Sequence, residues 1–191
     1  MPSLYIIGGA NGSGKTTVSM SLLPNFLDCF EYVNADAIAA GLSPLNPDSM
    51  AIEAGRLMIM RLRTLSNSGS DFAFETTLAA RSFAPFIIGC RAKGYTINLI
   101  YFWLQSVDLA VERVAARVAS GGHSIPEDVI RRRYQQGRKN LISLYLPLCD
   151  RWIMYDNSNN DTRLVAEYRR GQQLVAYENA IWNQIRGQKN G

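Results

Sequence analysis

Apolar residues fall into five short runs along the chain, and segments with helical spacing separate these runs. Most of the runs are continuous rather than alternating, which is typical of strands that are covered on both faces. Strands that alternate with helices predict an α/β fold with a parallel sheet and right-handed crossovers. The predicted strands are Leu4–Gly8, Tyr32–Ala35, Asp71–Glu75, Thr96–Trp103 and Trp152–Tyr155.

Apolar positions three and four residues apart predict helices between these strands. We expect the first helix to end before Pro24, because proline lacks the N–H that an interior helical position needs. Another helix is expected to open at Ser124-Ile125-Pro126-Glu127, which has a capping-box spacing and a proline near the first helical position. The first predicted helix is Lys15–Leu23, and the next three are Asp48–Asn67, Ser82–Lys93 and Asp108–Ala119.

The C-terminal part of the chain has a different pattern. Two apolar segments, 163–168 and 173–177, flank a turn at Gly171 and predict an antiparallel hairpin, followed by a short helix over Glu178–Ile185. One amphipathic helix is the alternative, although Gly171 argues against it. We expect one domain over residues 1–191, with 163–187 as its C-terminal extension, because the 191 residues contain no repeat and no linker-like segment.

Composition argues against several classes of protein. The longest apolar run, around Ile97 to Leu104, is too short to cross a bilayer, and the first residues lack the basic segment of a secretory signal. Three scattered cysteines have no metal-ligand spacing and suit reduced thiols in a cytoplasmic protein. The single histidine, His123, leaves almost nothing for a zinc site or a histidine-based triad, and we expect it to make loop hydrogen bonds. The cysteines are Cys29, Cys90 and Cys149.

A glycine-rich motif directly follows the first predicted strand and fits the pattern G-x-x-x-x-G-K-[ST]. Its glycines allow the backbone to turn tightly and to aim successive N–H groups at one point, where the following helix adds its positive end. The motif predicts binding of ATP with Mg²⁺, with Lys15 on the outer phosphates and Thr16 as a Mg²⁺ ligand. The residues expected to contact the nucleotide are Gly9, Ala10, Asn11, Gly12, Ser13, Gly14, Lys15, Thr16 and Thr17.

Two carboxylates follow the second and third predicted strands. Ligands of an open parallel sheet sit beyond the carboxyl ends of its strands, so Asp36 and Glu75 could face one crevice. Asp36 is the candidate base that accepts the proton of an attacking hydroxyl, and the competing interpretation is that it only caps the next helix. Glu75 could hold a water on Mg²⁺ or, with Thr76, bind a substrate hydroxyl.

Arginines cluster between Arg113 and Arg133 around the segment Gly121-Gly122. Glycines flanked by helices indicate a mobile lid, and arginine suits the oxygens of a transferring phosphoryl group. We expect at least one of Arg117, Arg132 and Arg133 to contact phosphate. A solvated helix face is the competing interpretation, because consecutive residues on a helix point in different directions.

Polar residues follow the fifth predicted strand at Asp156-Asn157-Ser158. This is where P-loop kinases often enclose the adenine base. Backbone atoms can make those contacts, so the side chains are also explained as turn formers.

Taken together, these segments resemble the zeta-toxin-like P-loop kinases. The resemblance runs from about residue 4 to residue 158, and its more specific parts lie outside the phosphate loop. They are Asn34-Ala35-Asp36 with Gly41-Leu42-Ser43-Pro44, Phe74-Glu75-Thr76-Thr77-Leu78, and Gly122-His123-Ser124-Ile125-Pro126.

This resemblance implies a five-stranded parallel sheet of the nucleotide-kinase type and transfer of the γ-phosphate of ATP, with Mg²⁺, to a hydroxyl. Zeta toxins phosphorylate the amino-sugar 3′-hydroxyl of UDP-N-acetylglucosamine, so a UDP-activated amino sugar is the implied small-molecule substrate. By the same resemblance Asp36 matches the base, Glu75 an acidic residue that contacts substrate, and Arg117 and Arg133 the lid arginines. The chain is shorter than the larger toxins, and nothing in its sequence shows an antitoxin partner.

Two other functions fit some of the same features. The basic net charge of +4 and the run Arg131–Arg133 would suit a nucleotide-dependent binding module, although no nucleic-acid motif is recognisable. A polynucleotide 5′-hydroxyl kinase keeps the chemistry and changes the acceptor. We expect a small-molecule kinase rather than either of these.

Overall fold

A seven-stranded mixed sheet forms the centre of the molecule, with strand order β2-β3-β1-β4-β5-β6-β7. The computed structural model describes residues 1–122, 124–159 and 161–187. Strands β1 to β5 are parallel, and β6 and β7 are antiparallel to their neighbours. The strands are β1 (Ser3–Gly9), β2 (Tyr32–Val33), β3 (Phe72–Thr76), β4 (Thr96–Trp103), β5 (Arg151–Asp156), β6 (Arg163–Arg169) and β7 (Val175–Ala176).

The α/β fold class and the five parallel strands are therefore confirmed, but the sheet has seven strands and not the predicted five. The predicted C-terminal hairpin exists and joins the same sheet, because β6 pairs with β5 from Arg151↔Arg169 to Asp156↔Arg163. This pairing covers the backbone edge that β5 would otherwise leave open.

Helices cover both faces of the sheet and connect its parallel strands. A 3₁₀ turn, Pro47–Met50, precedes the third helix, and a π-helical turn, Leu141–Tyr145, with a 3₁₀ turn, Leu146–Leu148, follows the sixth. The helices are α1 (Lys15–Phe26), α2 (Ala35–Leu42), α3 (Ala51–Ser68), α4 (Phe83–Ala92), α5 (Val107–Ala119), α6 (Glu127–Asn140) and α7 (Asn179–Arg186).

Three predicted boundaries are wrong. Helix α1 continues through Pro24, which lies in its last turn, where one missing N–H costs little against the burial of Leu23. Strand β2 ends at Val33, two residues early, because Asn34 already caps α2. Helix α6 begins at Glu127 with Pro126 at the N-cap and no side-chain cap, so the predicted capping box does not form.

Two apolar layers hold the helices to the sheet. On one face, α3, α4, the π-helical turn and α7 pack on a cluster that includes Phe72, Phe74 and Trp152. On the other face, α1 packs through Leu23 on Ile7 and Phe102. The three cysteines are buried free thiols, and burial raises the pKa of Cys149 to about 12. No helix in the described part of the chain is long and apolar enough to cross a membrane.

Candidate active site

The turn from β1 into α1 forms a cradle of backbone N–H groups at the carboxyl edge of the sheet. Gly12 and Gly14 lie in the left-handed region, with φ of +76° and +81°, which side chains rarely tolerate. A Cβ at Gly14 would sit 2.6 Å from Asn157 Nδ2, and one at Gly9 would sit 2.5 Å from the carbonyl oxygen of Phe102. Helix α1, which lies wholly in the described part of the chain, carries no acidic side chain in its first turn. These features together suit an anionic ligand.

Lys15 is the first residue of α1 and is almost fully buried, with 5% of its side chain exposed. Its Nζ donates a 2.7 Å hydrogen bond to the Ala10 carbonyl and lies 3.7 Å from Glu75 Oε1. Burial lowers the pKa of Lys15, and so does the cation of Arg117, while the charges of Glu75 and Asp36 raise this pKa. Three other predicted site residues, Glu75, Asp36 and Arg117, thus act on Lys15 through their charges.

Glu75 is held at the end of β3 by donors that converge on one carboxylate oxygen. Thr16 Oγ1 donates to Glu75 Oε2 at 2.8 Å, and Asn34 Nδ2 donates to it at 3.0 Å. The hydroxyl of Tyr32 donates to the same oxygen. Burial and the charge of Glu75 raise the pKa of Tyr32, so the phenol remains a donor. These contacts place the Glu75 carboxylate against the start of α1.

Asp36 lies in the first turn of α2 and is exposed to solvent. The helix is capped by Asn34, whose Oδ1 accepts hydrogen bonds from the backbone N–H of Asp36 at 2.8 Å and of Ala37 at 3.2 Å. The interpretation of Asp36 as a capping residue is therefore wrong, and its carboxylate is available to a ligand. The cap also fixes the position of Asp36, because the Asp36 N–H is one of the two groups that Asn34 binds.

The loop that follows β3 is fixed by the end of α6 and by the π-helical turn after it. Asn140 Nδ2 donates to the carbonyls of Leu78 and Ala79, both at 2.9 Å, and the Tyr145 hydroxyl donates to the carbonyl of Ala80. Leu78 is fully buried in the left-handed conformation, with φ of +59°. Thr76 is half-buried, and its Oγ1 accepts the Leu78 N–H at 3.0 Å. The left-handed conformation of Leu78 is strained and persists only where surrounding contacts enforce it.

The three consecutive arginines of α6 have separate surroundings. Arg131 pairs with Asp108 at 2.8 Å and with Glu127 at 2.7 Å, and so ties α5 to α6. Arg132 is exposed, whereas Arg133 is half-buried. Arg133 lies four residues before Gly137, on the face of α6 that packs on the loop after β3. Of the three, Arg133 therefore lies best for the active-site edge.

Arg117 lies near the end of α5, next to the predicted lid glycines. A Cβ at Gly122 would sit 2.6 Å from Arg117 Cγ, and the Gly122 N–H donates to the Arg117 carbonyl at 2.9 Å. Glycine at this position therefore makes room for the arginine side chain. His123 lies outside the described residues.

The loop after β5 is locked against the phosphate loop. Asn157 Nδ2 donates to the Ser13 carbonyl at 2.8 Å, and Arg113 donates to the carbonyls of Asn157 and Ser158 at 2.7 and 3.0 Å. Asp156 Oδ1 accepts from the Ser158 N–H, as expected of a turn former. Arg113 is thus engaged in holding backbone, and it belongs to the structural side of the arginine cluster.

Sequence reasoning missed several of these residues as contributors to the site. Tyr32 is partly buried and Asn140 is buried, and their roles depend on partners 43 and 62 residues away. The sequence predicts for Asn157 a place near the adenine base or a turn, and its contact with Ser13 spans 144 residues. The role of Asn34 does have a local signal, because Asn before a helix favours an N-cap.

A parallel sheet with a glycine-rich phosphate loop between its central strand β1 and helix α1 defines the P-loop nucleotide-kinase class. The chain belongs to the zeta toxin family, whose family model matches residues 1–170. This match confirms the resemblance seen in the sequence. The chain is accordingly a member of a P-loop kinase family.

One relative and two solved structures illustrate this relationship. An uncharacterized protein of Haemophilus influenzae is 34% identical over 128 residues, which cover 66% of this chain and 88% of the relative. The complex of AvrRxo1-ORF1 and -ORF2 with ATP superposes with a TM-score of 0.76 at 15% identity, covering 97% of this chain and 63% of that one. This chain therefore spans less than two thirds of that protein's length.

The PezAT chromosomal toxin–antitoxin system of Streptococcus pneumoniae gives a TM-score of 0.68 at 16% identity, covering 100% of this chain and 80% of that one. At these identities the two structures show a shared fold.

Proposed function

We propose that the protein transfers the γ-phosphate of ATP to a hydroxyl group of a small molecule. The observation that carries this proposal is the contact of Glu75 with the phosphate loop, together with the exposed Asp36 on the neighbouring helix turn. Glu75 contacts Lys15 and Thr16, and the Asn34 side chain that bonds Glu75 also caps the turn that carries Asp36. Phosphoryl transfer needs a cation such as Lys15 for the phosphates and one carboxylate for the attacking hydroxyl.

The residues at the phosphate loop fit ATP and Mg²⁺. The N–H groups of 9–17 and the buried cation of Lys15 would hold the phosphates. Thr16 and Glu75 offer a hydroxyl and a carboxylate 2.8 Å apart, the hard oxygen donors that Mg²⁺ prefers. The described residues contain no cluster of three or more His, Cys, Asp or Glu that could hold a metal, which suits an ion that takes its remaining ligands from phosphate and water. When bound, Mg²⁺ neutralises charge on the phosphate oxygens.

Asp36 is the proposed base. The acceptor oxygen forms a bond to the γ-phosphorus, the bond between that phosphorus and the bridging oxygen of ADP breaks, and the hydroxyl proton passes to the Asp36 carboxylate. Lys15, Arg117 and Arg133 balance the charge that develops on the phosphoryl group. Glu75 is proposed to lie between the Mg²⁺ side and the acceptor, and Thr76 is proposed to contact the acceptor.

The proposed acceptor is a UDP-activated amino sugar, on the strength of family membership. A protein partner of the antitoxin kind is likewise a proposal, supported by the fold shared with the PezAT toxin–antitoxin system. The nucleic-acid alternative loses support because Arg131, which opens the basic run, is engaged with two carboxylates.

The test is transfer of labelled γ-phosphate to UDP-N-acetylglucosamine, to a bacterial metabolite extract and to a 5′-hydroxyl oligonucleotide, in separate reactions. Asp36→Asn should lower the turnover by about 10²- to 10⁴-fold, the usual contribution of a general base, and leave ATP affinity within about threefold. Asp128→Asn is the matched control, because Asp128 is also an exposed acid in the first turn of a helix.

Lys15→Ala should remove both ATP binding and label transfer. Equal turnover in Asp36→Asn and wild type would exclude Asp36 as the base. Tight ATP binding with no labelled acceptor would favour the binding-module alternative, and labelling of the oligonucleotide alone would identify a polynucleotide kinase.

A further inference from the structure

Asn34 joins the two carboxylates of the site through the opposite ends of one side chain. Its Oδ1 accepts from the backbone N–H groups of Asp36 and Ala37, and its Nδ2 donates to Glu75 Oε2 at 3.0 Å. The side chain is buried, with 7% of the residue exposed. Both ends of the amide therefore have fixed partners.

The chemistry of these partners requires a carboxamide. Two backbone N–H groups can bond only to an acceptor, and a carboxylate oxygen can bond only to a donor, so the amide orientation follows from its neighbours. Aspartate would still cap α2 but would place a second negative oxygen against Glu75. Serine would also cap α2, and its short side chain supplies no second group for Glu75.

Tyr32 supports the same carboxylate from the preceding strand. Its hydroxyl donates to Glu75 Oε2, and Asn34 Nδ2 lies 3.4 Å from that hydroxyl. Thr16 is the third donor to this oxygen, but it is also the proposed Mg²⁺ ligand. Asn34 and Tyr32 are therefore the donors that would remain with Glu75 if Mg²⁺ engaged Thr16.

We propose that Asn34 is a positioning residue that sets the spacing between Glu75, on the Mg²⁺·ATP side, and the helix turn that presents Asp36 to the acceptor. This inference rests on the proposed function. It assigns a catalytic consequence to a side chain that itself touches neither substrate, and it predicts that a cap alone is not enough at this position.

The experiment compares Asn34→Ser and Asn34→Asp with wild type in kcat, KM for ATP and melting temperature, at saturating Mg²⁺. Asn46→Ser is the matched control, because Asn46 also precedes a helical turn but makes no side-chain cap bond. Serine and aspartate are both good caps, so a role limited to capping predicts wild-type kcat for both variants.

We expect Asn34→Ser to lower kcat about tenfold, as for loss of one hydrogen bond to a charged group, with KM for ATP within threefold. Asn34→Asp should lose more, because it replaces a donor with a like charge. The melting temperature of Asn34→Ser should stay within about 3 °C of wild type, since the cap is preserved, whereas that of Asn34→Asp should fall further because a like charge is buried beside Glu75. A kcat within twofold of wild type in both variants, or a kcat in Asn34→Ser that falls only together with its melting temperature, would overturn the proposal.

If wild type labels no acceptor, the proposed function fails and Mg²⁺-dependent ATP binding, measured by calorimetry, becomes the readout. A higher Mg²⁺ concentration for half-maximal ATP binding in both Asn34 variants, but not in Asn46→Ser, would then uphold the positioning of Glu75, while ATP affinity at saturating Mg²⁺ stays within threefold of wild type. An unchanged Mg²⁺ requirement would overturn it along with the function.

Discussion

Gly137 allows α6 to pack directly on the loop that follows β3, and replacing it with alanine tests this contact. An added Cβ would lie 2.2 Å from the Thr77 carbonyl oxygen, a backbone atom that cannot rotate away. The loop itself is pinned by Asn140 and Tyr145, so it has little freedom to retreat. Gly55 in α3 is the matched control, because a Cβ there meets nothing within 4 Å.

The expected magnitudes have opposite signs at the two glycines. Alanine in a helix interior is favoured over glycine by about 1 kcal/mol, so Gly55→Ala should stabilise the protein by up to that amount. At position 137 the same gain is opposed by overpacking, which costs about 1–3 kcal/mol and more against rigid backbone. A clash as short as 2.2 Å belongs at the upper end, so we expect Gly137→Ala to destabilise by about 2 kcal/mol net.

Thermal and urea unfolding of both variants measure this difference. A change of 1 kcal/mol shifts the melting temperature of a domain of this size by about 2–4 °C, which predicts a fall of roughly 4–8 °C for Gly137→Ala and a rise of up to about 4 °C for Gly55→Ala. Phosphate transfer should fall in Gly137→Ala alone, because the displaced loop follows Glu75 and Thr76 in the chain. A Gly137→Ala protein as stable as Gly55→Ala would refute the close packing of α6 on this loop.

Two further predictions concern the phosphate loop. Because burial lowers the pKa of Lys15, ATP affinity should fall with rising pH at a lower pH than an ordinary lysine would give. In calorimetric titrations across pH, Glu75→Gln should move this fall in affinity to lower pH and Arg117→Met should move it to higher pH. If neither variant moves the fall, Lys15 is excluded as its source. Gly14→Ala should weaken ATP binding by at least about tenfold, because the methyl group meets Asn157 Nδ2 at 2.6 Å and the residue has φ of +81°; equilibrium binding that matches wild type would contradict this reading of the loop.

The sequence predicts the parallel strands well because their apolar runs are local and bounded by turn residues. Residues such as Leu4, Ile6 and Ile7 are buried from both faces of the sheet, which gives β1 its nearly continuous apolar run. The ends of helices and strands are predicted less well, because tertiary contacts decide them. Pro24 stays inside α1 since burial of Leu23 outweighs one lost hydrogen bond, which no local pattern shows.

The candidate site divides in the same way. Lys15, Thr16, Asp36 and Glu75 belong to short motifs that follow strands, so topology alone places them on one edge of the sheet. The groups that hold them come from distant parts of the chain. Asn140 is an ordinary polar residue near a helix end in the sequence, and only the folded chain shows that it binds two carbonyls of the loop after β3.

The run Arg131–Arg133 shows why a charge cluster in a sequence is not yet a charged surface. Successive helical residues point about 100° apart, so the three side chains cannot share one direction. Arg131 forms ion pairs with Asp108 and Glu127. Arg132 is exposed, and Arg133 lies on the face that carries Gly137. The structure thus divides the run into one brace between α5 and α6, one exposed arginine and one half-buried arginine on the face that carries Gly137. That division argues against a polyanion-binding surface, which would require several cations on one continuous face.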